Sequence, residues 1–117
     1  MTKAGDIGRD AENKVRDYFI EEGYAYAKRI RLKGAYDEGD VVLGDGYPVA
    51  IEVKGGQGAL KRAHSAGREL LEEIVNADAD IGFAVIKKER SAKVEEWLVV
   101  IPMAEYIKQL KQMYPPR

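Results

Sequence analysis

Three side chains near the middle of the chain have the types and spacing to hold a hard metal ion beside a phosphate: Asp40, Glu52 and Lys54. Glu52 and Lys54 lie in the run Val49-Ala50-Ile51-Glu52-Val53-Lys54, whose composition predicts a strand opened by Pro48 and closed by Gly55-Gly56. Period two puts Ala50, Glu52 and Lys54 on one face and sends Val49, Ile51 and Val53 to the other, toward the core. A carboxylate and an ammonium then stand side by side on a rigid element. Asp40 opens the preceding strand, Asp40-Val41-Val42-Leu43, across the hairpin chemistry of Gly44-Asp45-Gly46. Carboxylates on neighbouring strands can supply the oxygen ligands of one Mg²⁺, with Mn²⁺ as substitute, and the backbone carbonyl of Val53 can add another. Such a metal stabilises charge on a phosphate and lowers the pKa of a bound water. Lys54 can orient that water or stabilise the pentavalent phosphate. The competing reading is a solvated strand face, because Glu-x-Lys is a common pattern in a chain with 33% charged residues.

The elements that must position these residues follow from periodicity. Residues 7–22 read as an amphipathic helix with Ile7, Ala11, Val15, Tyr18 and Phe19 on one face, ended by Gly23 as a C-cap glycine. Tyr24 to Arg31 alternates as a strand. Residues 58–75 predict a helix whose apolar stripe is Leu60, Ala63, Gly67, Leu70, Leu71 and Ile74. Ile81 to Ile86 reads as a buried strand, Trp97 to Ile101 as another stopped by Pro102, and Ala104 to Met113 as a last helix. The order is α-β-β-β-α-β-β-α, an α/β fold with a mixed sheet and helices packed on it.

Composition narrows the chemistry. With 117 residues, residues 1–117 are expected to form one domain. The absence of cysteine excludes disulfides, thiolate zinc sites and cysteine nucleophiles, and a single histidine argues against a histidine-rich metal centre. The opening MTKAGDIGRD has no apolar core of a signal peptide, and no stretch reaches the length of a membrane span, so a soluble cytoplasmic protein is expected. The net charge of −1 does not advertise nucleic-acid binding, but the charges are clustered. Arg29 and Arg31 alternate with apolar neighbours, and Lys87, Lys88 and Arg90 follow a buried strand. Both groups are candidate phosphate contacts; their competing roles are strand solubility and protection of a strand end.

The motifs resemble those of the PD-(D/E)XK nuclease superfamily. Glu52-Val53-Lys54 fits its E-x-K, and Gly39-Asp40-Val41 stands where that family has Pro-Asp and an apolar residue. Within it the chain looks most like the Holliday junction resolvase branch, closer to small phage-encoded resolvase-like proteins than to archaeal resolvases. The likeness runs through GRDAENKVRDYFIEEGY, KRIRLKGAYDEGDVVL, VAIEVKGG, FAVIKKER and WLVVIPMAEY. It implies a restriction-endonuclease-like mixed central sheet flanked by helices, and Mg²⁺-dependent hydrolysis of DNA, with branched DNA as substrate. A homodimer, a role in phage or host DNA recombination, and, if phage-encoded, the cytoplasm of a host cell are implied too. It also adds Glu12, at the position where resolvase-like members keep a glutamate near the metal, to the candidate catalytic set of Asp40, Glu52 and Lys54. The loop Leu32-Lys33-Gly34-Ala35-Tyr36 lacks the serine that archaeal resolvases carry there. Asp37 competes with Asp40 as ligand, though Asp40 leads directly into its strand. Two rival readings are a superfamily nuclease of restriction or repair type and a DNA-binding module whose carboxylates are structural. His64 is expected to be an exposed helix residue, and Trp97 a core or dimer contact.

Overall fold

The computed structural model describes residues 4–30 and 39–117. Helix α1 (Ala4–Glu21) turns Ala11 and Val15 inward and closes on a Schellman motif at Gly23. Tyr24 N–H donates to Phe19 O at 2.9 Å and Gly23 N–H to Ile20 O at 3.1 Å, the paired bonds that a left-handed residue at φ 110° permits. The Tyr24 and Phe19 rings meet edge to face across the cap. Because Tyr24 is committed to the cap and its carbonyl to a turn with Ala27, the expected strand from Tyr24 shrinks to β1 (Lys28–Arg29). Arg31 and Asp37 lie outside the described residues.

Strands β2 (Val41–Val42), β3 (Val49–Lys54), β4 (Ile81–Ile86) and β5 (Leu98–Val100) complete a sheet of order β1-β2-β3-β4-β5. Only β3 and β4 pair in parallel; the other neighbours are antiparallel. A parallel pair needs a crossover, and the 3₁₀ turn Ala59–Arg62 with helix α2 (Ala63–Asn76) supplies it. Helix α3 (Met103–Met113) follows β5. The result is a five-stranded mixed sheet flanked by helices, in the element order read from periodicity. Among the described residues, no helix is long and apolar enough to cross a membrane.

Both faces of β3 are covered. Ile51 and Val53 join Ala11, Val15, Val41, Leu43, Val85 and Trp97 in the core beneath α1, which settles Trp97 as a core residue. On the other face Ala50 packs with Leu70 and Ile74 of α2, and Ala84 and Ile86 pack with Ala59 and Ala66. The expected stripe of α2 needs correction. Leu60 and Leu71 are exposed, and the buried residues are Ala66, Leu70, Glu73 and Ile74. A 3₁₀ turn advances three residues per turn rather than 3.6, which rotates Leu60 off the line the helix continues.

Candidate active site

Asp40 is held by backbone geometry that its neighbour makes possible. Gly39 has φ 108°, and a Cβ there would stand 3.0 Å from Ile51 O, so a side chain would be strained on both counts. With the chains this close, Asp40 N–H donates to Ile51 O at 2.8 Å, and Asp40 Oδ2 accepts Val53 N–H at 2.8 Å. Ile30 N–H donates to Asp40 O at 2.9 Å, which ties β1 to the same point. Lys54 O accepts Lys87 N–H on the β4 side. Successive residues of a strand direct their amide edges oppositely, so the edge of Val53 faces Asp40, as a carbonyl ligand there requires.

Glu52 and Lys54 share the sheet face expected of them, but that face lies under α2. Glu52 is 4% exposed, which removes the solvated-face reading of the pair. Lys54 Nζ stands 3.2 Å from Glu52 Oε1 and 2.7 Å from Glu69 Oε2 on α2. Glu73, one helical turn after Glu69 and fully buried, approaches Glu52 from the same helix. Among the described residues, Glu52, Glu69 and Glu73 each bring a carboxylate oxygen within 4.8 Å of the others, a grouping that could hold a metal ion. Every side-chain donor in it is an oxygen, the set a hard cation prefers.

The electrostatics follow from burial and from this crowding. Burial first, and then the charge of Asp40, push the Glu52 carboxyl up to about 7, against the pull of Glu73 and Lys54. For Lys54, burial disfavours the charge, but the hydrogen bond to Glu69 and the charge of Glu52 outweigh it and raise the pKa. For Glu69, burial also disfavours the charge, and the hydrogen bond and charge of Lys54 win and lower its pKa. Across the sheet edge, Glu12 is raised by burial and again by Asp40, while its Arg29 partner at 3.4 Å opposes the rise. Asp40 therefore acts on both Glu12 and Glu52, and the four candidate residues Glu12, Asp40, Glu52 and Lys54 form one electrostatic neighbourhood.

Helix α1 packs closely against the Gly55-Gly56 step. A Cβ on Gly55 would lie 2.5 Å from Ala11 Cβ, so α1 already occupies that side. The Arg62 guanidinium donates to Gly55 O and pins the step from the other direction. Beyond it opens a cleft of about 700 Å³ lined by Ile7, Asp10, Gly56, Gln57, Lys87, Glu89 and Arg90. Lys87 and Arg90 reach it. Lys88 is exposed, 3.8 Å from Glu96, and Arg29 turns to Glu12. His64 is exposed on α2.

Glu69 and Glu73 are the site residues that periodicity missed. The signal was present: Glu73 sits three residues after Leu70 and next to Ile74, on the buried stripe itself. A count of apolar residues alone passes over it. Comparison of the chain with protein-family models, with curated proteins and with solved structures finds no match.

Proposed function

We propose that the chain is a metal-dependent DNA endonuclease of the PD-(D/E)XK type, acting on branched DNA such as four-way junctions. The observation that carries this reading is the buried Glu52 with the half-buried Lys54 beside it on the central strand, and Asp40 held against the next residue, Val53, from the neighbouring chain segment. Asp40, Glu52 and the carbonyl of Val53 would hold Mg²⁺, or Mn²⁺ in its place. Bound there, the ion supplies Lewis-acid stabilisation of phosphate charge and a more acidic water.

The rest of the work falls to the chain's own groups. Lys54 carries its positive charge throughout the neutral range, fixed by Glu69, and directs it at the reacting phosphate or at the attacking water. Glu69 is a positioning residue for Lys54, whose ammonium it holds at 2.7 Å. Asp40 is held in position by the hydrogen bond that its Oδ2 accepts from Val53 N–H, so it is placed before any ion arrives. Lys87 and Arg90 in the cleft next to Gly56 offer phosphate contacts along the approach.

The test is cleavage of labelled duplex, flap and four-way-junction DNA with Mg²⁺ and with EDTA. Activity is expected only with the metal. Asp40→Asn and Glu52→Gln should abolish cleavage and leave DNA binding intact or tighter, because each removes a negative charge facing phosphates. Lys54→Ala should lose most of the rate with the fold kept. Undiminished cleavage in EDTA, or near-parental rates in all three variants, would place the chemistry elsewhere.

A further inference from the structure

At the level of Lys54 the sheet register makes a row across one face: Lys54 pairs with Ile86, and Ile86 with Leu98. Directly paired residues share a face, so all three point to the α2 side. Adjacent strands lie about 4.8 Å apart, which puts Leu98 about 10 Å from Lys54. Over the far end of this row stands the 3₁₀ turn with Leu60. Between them is a pocket of about 380 Å³ with Leu60, Ile86 and Leu98 as its apolar walls and Lys61, Lys87 and Lys88 among its rim. Ile86 is buried and forms the floor, whereas Leu60 and Leu98 are 60% and 51% exposed. Glu89 also lines the pocket, and Lys88 leans toward Glu96 at 3.8 Å, so the cationic excess is carried mainly by Lys61 and Lys87.

We propose that this pocket binds an unpaired nucleobase of the DNA strand whose backbone passes Lys54. The inference rests on the nuclease reading and adds to it the kind of DNA preferred: one that offers an unstacked base beside the reacting phosphate. Three features single out that occupant. The walls are apolar and open, which suits the faces of a base that has left its stack. The cations ring those walls, which suits a ligand whose apolar part hangs from an anionic backbone and disfavours a neutral apolar side chain. Lys87 lines both this pocket and the larger cleft beyond Gly56, so one backbone can follow the cations while one base turns inward. A paired duplex keeps its bases stacked and cannot fill it. Ends, bulges and branch points can.

The experiment measures binding alone, by fluorescence anisotropy in EDTA, of a short labelled single strand and of matched strands with one abasic position moved along the chain. Abasic substitution at one position should weaken binding about tenfold, and at the others much less. Leu60→Ser combined with Leu98→Ser should erase that difference while leaving the salt dependence, and Leu98→Trp should enlarge it. Lys61→Ala should weaken intact and abasic strands alike and flatten the salt dependence. Both leucines are exposed, so a thermal melt near that of the parent confirms that the variants fold. Equal binding of intact and abasic strands overturns the pocket, as does an undiminished difference in the double serine variant. If duplex DNA is still cleaved with Mg²⁺ in that case, the nuclease reading survives; if no DNA is bound at all, both fall.

Discussion

Replacing Glu52 by Gln should make the protein more stable above about pH 5, by a margin that grows toward alkaline pH. Glu52 is 4% exposed and its carboxyl titrates at about 7 in the fold, against 4.5 ordinarily. A carboxyl whose pKa is raised on folding contributes its full stability below the unfolded value and loses it as pH rises through the folded one. The gap between 4.5 and about 7, at roughly 1.4 kcal/mol per unit of pKa, comes to about 3 kcal/mol. Glutamine resembles the protonated form at every pH. The variant should therefore match the parent near pH 4.5, pull ahead through pH 5–7, and hold an advantage of up to about 3 kcal/mol at pH 8. The figure is already net of the attraction of Lys54, which keeps Glu69 at 2.7 Å in the variant. In a domain of this size such a gain raises the melting temperature by about 10 °C. Urea unfolding of both proteins at pH 5 and pH 8 reads it directly. Mg²⁺ added at pH 8 should narrow the gap by stabilising the parent alone. A stability difference that stays constant between the two pH values, or favours the parent at pH 8, would refute the claim that Glu52 is held in the interior against its charge.

Two further outcomes follow from the packing and from the charge pattern. Gly55→Ala places a Cβ 2.5 Å from Ala11 Cβ, so α1 must move; the expected cost is about 1–3 kcal/mol in chemical unfolding, together with a loss of cleavage, because the same step carries the chain away from Lys54. With a net charge of −1 the chain has weak generic attraction for DNA. On the nuclease reading proposed above, affinity is expected from basic strips converging from two subunits: light scattering should give a dimeric mass, and a four-way junction should outcompete a linear duplex of equal length in band shifts, with affinity falling steeply in salt. Equal affinity and a monomeric mass would remove the junction reading and leave the nuclease one.

The central strand was legible because two independent rules meet there. Alternation assigned the faces of residues 49–54, and the glycines and proline around them set the ends. The Schellman cap at Gly23 was legible for a similar reason, since glycine after an apolar-periodic run has few other uses. Strand β1 was overestimated because Tyr24 has high strand propensity but serves the cap instead, a tertiary contact with Phe19 that no local pattern announces. The α2 stripe went astray at Leu60, where one 3₁₀ turn breaks the 3.6-residue period. Asp40, Glu52 and Lys54 could be named from type and spacing, but not the surroundings of Glu52. Those depend on how α2 settles on the sheet, and only that docking brings Glu69 and Glu73 to face it.

The surroundings of Glu52 bear on why such a residue stands in a core at all. Glu52 and Glu73 are buried beneath α2 with Glu69 and the Lys54 ammonium beside them, so carboxyl groups outnumber cations where little water reaches. A sheet that needed only to fold would be served as well by amides or apolar residues at positions 52 and 73, as replacement of buried ionic groups elsewhere shows. The fold instead carries a penalty of about 3 kcal/mol at Glu52 alone, set against a total stability of roughly 5–15 kcal/mol for a domain. A proton relieves it progressively as pH falls from about 7 toward 4.5. At neutral pH and above, the remaining ways to relieve it are a bound cation or local opening of α2. The first is what a metal-dependent nuclease requires, and the second would expose Ala50 and Leu70, which are fully buried against each other. Burial of the site and burial of the core are thus the same packing, and on the nuclease reading proposed above a bound cation is the expected relief.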